Sequence, residues 1–131
     1  MIREGDVVAF PFPQADQAGG KLRPALVLRA CPGRHDDWLV CMVSSQVRHH
    51  LPGFDELVRP EDDDFGESGL RVPSVVRISR LAVVASSVFQ GRLGQLGEER
   101  VARIRQRLVA WLARGVACQA PADDCGPATA V

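Results

Sequence analysis

The sequence predicts a mainly β fold: a small, strongly curved barrel followed by one amphipathic helix. Three observations predict it. Six or seven short apolar or β-branched runs fall within the first hundred residues, separated by polar turns rich in Gly and Pro. Two of them, Ala25–Leu28 and Trp38–Val43, are almost wholly apolar, as strands buried on both faces are. After Gly97 the apolar residues recur at helical instead of strand spacing.

Val7–Phe12 reads as the first strand, with Pro11 and Pro13 ending it or confining it to a sheet edge. Gln14–Lys21 is a polar, Gly-containing loop able to lie over a site. The chain is organised around the stretch GGKLRPALVL at Gly19–Leu28. Gly19 and Gly20 allow tight turns, Pro24 holds Arg23 extended, and the strand Ala25–Arg29 begins. Arg23 therefore stands where loop becomes sheet. The turn Pro32–Asp37 leads to the third strand, Trp38–Val43, paired with the second as a hairpin, with Ser44, Ser45 and Gln46 at its end. Val47–Gly53 is a loop holding Arg48, His49 and His50; in extended chain the two histidines would face opposite ways. Phe54–Val58 is a short strand, and Arg59–Gly69, with four consecutive carboxylates at Glu61–Asp64, reads as a solvated loop.

Ser74–Ile78 and Leu81–Val84 are two further strands split at Ser79 and Arg80, and Gly91–Leu96 is the last. Gly97, Glu98 and Glu99 open a helix of about five turns whose apolar face is Val101, Ile104, Leu108, Trp111 and Leu112. Arg100, Arg103, Arg105 and Arg107 are assigned to its outer, solvated face, and Gly115 ends it. Residues 1–115 form the predicted domain, and 116–131 read as a disordered tail.

The chain of 131 residues is long enough for one real core. Its formal net charge is zero, so no global basic footprint points to nucleic acid. Arginine supplies 15 of the 16 basic residues, Lys21 being the sole lysine. Codon bias explains that preference as well as phosphate recognition does. Cys31, Cys41, Cys118 and Cys125 match neither a zinc pattern nor a redox pair, and Cys41 sits in an apolar run as a core residue. The N-terminus MIREGDVV is charged at once, and no run approaches a membrane span. A cytoplasmic protein with reduced thiols and no metal or cofactor is expected.

The polar groups left at strand ends carry the chemistry. Arg23 opens one strand, Ser44 and Ser45 close another, and Arg77 lies inside the otherwise apolar PSVVRISRL. An arginine within such a strand must face solvent or find an anion. Two arginines on one concavity suit a phosphodiester and the charge that builds during its cleavage.

Five segments carry a resemblance. GDVVAFPFP (Gly5–Pro13), GKLRPALVL (Gly20–Leu28), CMVSSQ (Cys41–Gln46), GLRVPSVVRISRL (Gly69–Leu81) and RLGQL (Arg92–Leu96) occur in the order found in the MazF/PemK/Kid toxins of toxin–antitoxin pairs. The resemblance covers about residues 4–113. It implies an SH3-like (CcdB/MazF-type) barrel, a homodimer, and metal-independent cleavage of single-stranded RNA. The ribose 2′-hydroxyl is then the nucleophile, and the products carry a 2′,3′-cyclic phosphate and a 5′-hydroxyl. It also implies neutralisation by a cognate antitoxin whose acidic segment occupies the same groove. Arg23 matches the family's catalytic arginine before proline, Ser44 its threonine at the end of the third strand, and Arg77 its acid or phosphate ligand. RNA contacts fall to the loops Gln14–Lys21 and Val47–Gly53 and the strand ends, with Gln17, Lys21, Ser45, Gln46, Arg48, His49 and Ser79 as the candidates. Two departures affect proton transfer. Ser79 stands where Kid-type members carry the aspartate base, and Gln17 and Ala18 stand where other members carry histidine or glutamate. Asp16, His49 and His50 are the substitutes within reach in sequence. The competing reading is a binding protein on the same barrel, either CcdB-like or catalytically decayed.

Overall fold

The structure, a computed structural model, describes residues 1–11 and 21–114. Six strands form one antiparallel sheet: β1 (Asp6–Pro11), β2 (Leu22–Ala30), β3 (Asp37–Ser44), β4 (Glu56–Val58), β5 (Ser74–Ala85) and β6 (Arg92–Gln95), in spatial order β4-β5-β3-β2-β1-β6. A single helical turn, α1 (Phe65–Ser68), precedes β5, and the long helix α2 (Glu98–Ala113) follows β6. No helix among the described residues is long and apolar enough to cross a membrane.

The two apolar strands lie at the centre of the sheet, as their composition requires. One face packs on α2: Leu26, Leu28, Cys41, Val43, Val76 and Ile78 meet Val101, Ile104 and Leu108. Each of these helix side chains contributes about 1.5–3 kcal/mol by leaving water. The other face buries Val8, Phe10, Ala25, Val27 and Val40 beneath Trp38, Val84 and Phe89. Burial pushes the Cys41 thiol well above its ordinary pKa, with the Asp55 carboxylate adding to the shift, so it is an inert core group. Cys118, Cys125, the tail at 116–131 and most of the loop before Arg23 lie outside the described residues.

β1 lies between β2 and β6 and ends at Pro11, the first of the two expected alternatives; the ladder to β6 runs out near Val8, and Pro11 pairs with Leu22 of β2. Three expectations change. The predicted break at Ser79–Arg80 is a bulge within one twelve-residue strand, β5. Cys41 pairs with Leu81 while Met42 pairs with Arg77, so three residues, Ile78–Arg80, have no partner on β3. Buried Asp55 receives the freed Ile78 amide at 3.1 Å and the Leu51 amide at 3.1 Å, which pins the bulge.

The carboxylate run and the helix arginines are also not simply solvated: they bind each other. Arg100 is buried, donating to Asp64 (2.7 and 2.9 Å), Asp62 (3.0 Å), Glu56 (3.2 Å) and the Leu57 carbonyl (2.6 Å). Arg103 and Arg107 close on Glu56, and Arg107 also reaches the Phe54 and Asp55 carbonyls. Arg105 pairs with Glu4. Bonds from Arg100, offset by the cost of burial, and from the Gly97 amide hold the Asp64 carboxyl below its usual range. The expected solvated basic stripe is thus a clamp between α2, β4 and the 61–64 segment.

Candidate anion-binding cleft

Register decides what shares a face. Ala25, Met42 and Arg77 stand in one cross-strand row. Two residues further along, alternation brings Arg23 of β2 and Ser44 of β3 to the same side. That is the face opposite α2, because Ala25 and Met42 belong to the core cluster there. Arg23 and Ser44 are on adjacent strands; Arg77 is one strand beyond and two residues offset, about 12 Å from Arg23 between Cα atoms. Two arginine side chains can close that gap onto one phosphate.

Ser44 is buried, and its Oγ accepts the Gln46 amide at 3.0 Å. That bond fixes the side chain and leaves the hydroxyl proton to donate. Arg23 and Arg77 are half-buried, where a guanidinium is less screened than on an open surface.

The ends of β2 and β3 open onto a cleft of about 770 Å³. Its first wall is Lys21–Pro24 with Val43–Ser45; its second is Gly69–Val72, Ser74 and Leu93. The second wall exists because the sheet curls until β6 meets α1. A side chain on Gly94 would stand 2.1 Å from the Glu67 carbonyl oxygen, and one on Gly69 2.1 Å from that of Leu93. Gly69 is also left-handed, with φ +76°, where it ends α1. Only glycine at both positions lets the two backbones touch, and the contact fixes where residues 70–72 begin.

Among the described residues, the charges of the cleft wall are Lys21, Arg23 and Arg71, with no carboxylate and no imidazole. Six of the carboxylates are engaged in ion pairs elsewhere. Glu4, Asp6, Glu56, Glu61, Asp62 and Asp64 pair with Arg29, Arg59, Arg92, Arg100, Arg103, Arg105 and Arg107. Lys21, Arg71 and Arg77 have no ion-pair partner among the described residues. A second concavity, about 540 Å³ between residues 61–64 and the start of α2, mixes those carboxylates with Arg100 and Arg103 and offers an anion no net attraction.

Of the residues singled out in the sequence, Lys21, Arg23, Ser44 and Ser45 line the cleft, and Arg77 lies on the adjoining face. Gln46 is exposed beside Ser44. Arg48 and His49 are exposed on a 3₁₀ turn, Val47–His49, and His50 is half-buried at its end. The opposite-facing argument for the histidines does not apply, since the chain there is not extended. Ser79 is exposed inside the β5 bulge. Gln17 and Asp16 lie outside the described residues. Arg71 and Asp55 were not singled out. The signal for Arg71 was a cation between Gly69 and Pro73, in one of the recognisable segments; for Asp55 there was none, because its partner is a bulge amide.

A family profile described as "PemK-like, MazF-like toxin of type II toxin-antitoxin system" matches residues 3–112. No curated protein sequence matches. Among the solved structures similar in fold are an endoribonuclease and a toxin. One is described as an endoribonuclease in complex with its cognate antitoxin from Mycobacterial species, with TM-score 0.60, 15% identity, and coverage of 88% of this chain and 98% of that one. The other is the Mycobacterium tuberculosis toxin MazF-mt6, with TM-score 0.56, 16% identity, and coverage of 84% and 98%. With the profile spanning most of its length, and a curled sheet closed by a C-terminal helix, the chain belongs to the PemK-like, MazF-like toxin family of type II toxin–antitoxin systems.

Proposed function

We propose that residues 1–115 form a toxin endoribonuclease of the cytoplasm that cleaves single-stranded RNA without a metal ion. The observation that carries this reading is the placement of Arg23, Ser44 and Arg77 on one face, beside a cleft whose charges among the described residues are all cationic. The ribose 2′-oxygen attacks the adjacent phosphorus, and the bond from phosphorus to the 5′-oxygen breaks. The 2′-proton passes to a base or to solvent, and the leaving 5′-oxygen takes a proton. The products are a 2′,3′-cyclic phosphate and a 5′-hydroxyl, and no water is consumed. Negative charge grows on the non-bridging oxygens as the fifth bond forms. Arg23 and Arg77 meet that charge with fixed cations, and Ser44 with its free O–H. The same cations would accept carboxylates from an acidic antitoxin segment, so inhibition competes with RNA.

The test is incubation of a long RNA with the protein in EDTA, comparing wild type with Arg23→Ala. Cyclic-phosphate ends from wild type and a loss of about a hundredfold or more in Arg23→Ala support the reading. Undiminished cleavage by a folded Arg23→Ala protein removes Arg23 from the mechanism. A second reading, a binding protein on the same barrel, is favoured by Ser79 in place of the family's aspartate. An inert wild type that still binds its acidic partner would establish it.

A further inference from the structure

We infer that Arg71, which lines the same cleft as Lys21, forms a second phosphate subsite, which takes a backbone phosphate flanking the scissile one in a single-stranded RNA. The inference rests on the ribonuclease reading above and names a group that reading does not use.

Arg71 is exposed, lines the cleft, and has no hydrogen-bond or ion-pair partner among the described residues. Nearly every other element that carries arginines opposite acids has used them in ion pairs: α2, β6 and the start of the 59–64 segment. The backbone bearing Arg71 is braced on both sides. Two residues before it, Gly69 sits against Leu93, closer than any side chain would permit. Three residues after it, buried Ser74 donates its hydroxyl to the Val72 carbonyl at 2.9 Å. The guanidinium thus projects from an anchored rim, and less entropy is lost when it is immobilised on a ligand.

The cleft, about 770 Å³, is far larger than one phosphate needs and lies in the range that encloses a small-molecule ligand. Its apolar lining includes Leu22, Leu70, Val72 and Leu93, against which sugar and base faces can rest. An Arg fork grips two phosphate oxygens, and Lys21 adds a point charge. A strand whose scissile phosphate lies at Arg23 and Ser44 must carry its next phosphates along a wall, and this wall bears the cation.

The probe is a fluorescent 2′-O-methyl RNA oligomer, which lacks the nucleophile and cannot be cleaved. Its affinity is measured from low to moderate salt for wild type, Arg71→Ala, Arg71→Lys and, as control, Arg34→Ala, a substitution in the exposed Pro32–Asp37 turn. Removing one phosphate contact should lower the slope of log K against log salt by about 0.7 and weaken binding roughly tenfold at low salt. Arg71→Lys should keep the slope and bind less tightly, and Arg34→Ala should match wild type. On cleavable RNA, Arg71→Ala should raise KM and leave kcat unchanged. An unaltered slope and KM in Arg71→Ala, with wild type active, overturns the subsite alone. An unaltered slope with weakened binding of an acidic peptide overturns it in favour of a peptide contact. A wild type that neither binds the oligomer nor cleaves RNA overturns the ribonuclease reading and the subsite together.

Discussion

Adding one methyl group at Gly94, in the contact between β6 and α1, should do more damage than adding one at Gly66, within α1. At Gly94 the new carbon would lie 2.1 Å from the Glu67 carbonyl oxygen, 2.5 Å from the Ser68 carbonyl carbon and 2.7 Å from its oxygen. Relaxed contacts need about 3.5 Å, so two backbone segments would have to part by about 1.4 Å. Overfilling a packed site costs about 1–3 kcal/mol when side chains can adjust. Here only backbone is in the way, which puts Gly94→Ala at about 3 kcal/mol or more. At Gly66 a methyl group meets nothing within 4 Å, and the residue lies within α1. Gly66→Ala should therefore be neutral or stabilise by about 0.5–1 kcal/mol. Urea unfolding measures both. With a slope of about 1–3 kcal/mol per molar, Gly94→Ala should lower the midpoint by about 1 M or more, and Gly66→Ala should leave it equal or slightly higher. The folded fraction of Gly94→Ala should also bind RNA more weakly, because the rim carrying Arg71 starts at this contact. A Gly94→Ala midpoint within about 0.3 M of wild type would show that the backbones do not approach as described, and the account of the second cleft wall would go with it.

Three further outcomes are expected. The depressed Asp64 carboxyl takes up its proton later in the folded than in the unfolded chain. The stability it adds is therefore complete above its ordinary pKa and is lost as pH falls through the folded value, below about pH 4. Asp64→Asn should cost about 2 kcal/mol at neutral pH and flatten the acid decline, and an unchanged pH-dependent melting curve would refute the clamp. Ser79→Asp should raise single-turnover cleavage of one RNA between pH 5 and 9 by supplying a carboxylate base beside Arg77; an unchanged rate with RNA affinity intact means that the base lies elsewhere or that solvent takes the proton. The family resemblance leads us to expect a homodimer, which light scattering at micromolar concentration checks, a monomeric mass being the adverse result.

The strands were legible because apolar runs of strand length state their own burial, and the central place of β2 and β3 follows from having no polar face. The helix was legible in its period. What was not legible was non-local. Nothing in RVPSVVRISRL says that β5 continues through Ser79 and Arg80, because the freed amide is met by Asp55, twenty-three residues upstream. The fate of Arg100 was partly written: it lies four residues before Ile104, and so on the inward side of α2. Assigning all four helix arginines to one solvated face hides that reading. A run of carboxylates and a helical stripe of arginines in one small chain are complementary, and burial of one cation needs several acids around it.

The same complementarity explains why zero net charge says so little about the site. Ion pairs form wherever acids and arginines are brought together, and the fold brings them together around α2, β4 and the first residues of the chain. Each pair removes equal charge of both signs and leaves the total at zero. Yet the carboxylates used there are no longer available to neutralise the ends of β2 and β3. Charge balance over the sequence is thus compatible with a cleft whose charges, among the described residues, are of one sign. Ion pairs hold seven of the fifteen arginines, while Lys21 and Arg71 line the cleft with no ion-pair partner among the described residues. A substitution such as Asp64→Asn, which frees a clamp arginine, should therefore change stability far more than RNA affinity. Arg71→Ala should do the reverse. If both changed the two quantities in the same proportion, the clamp and the cleft would not be the separate electrostatic units that the ion pairs describe.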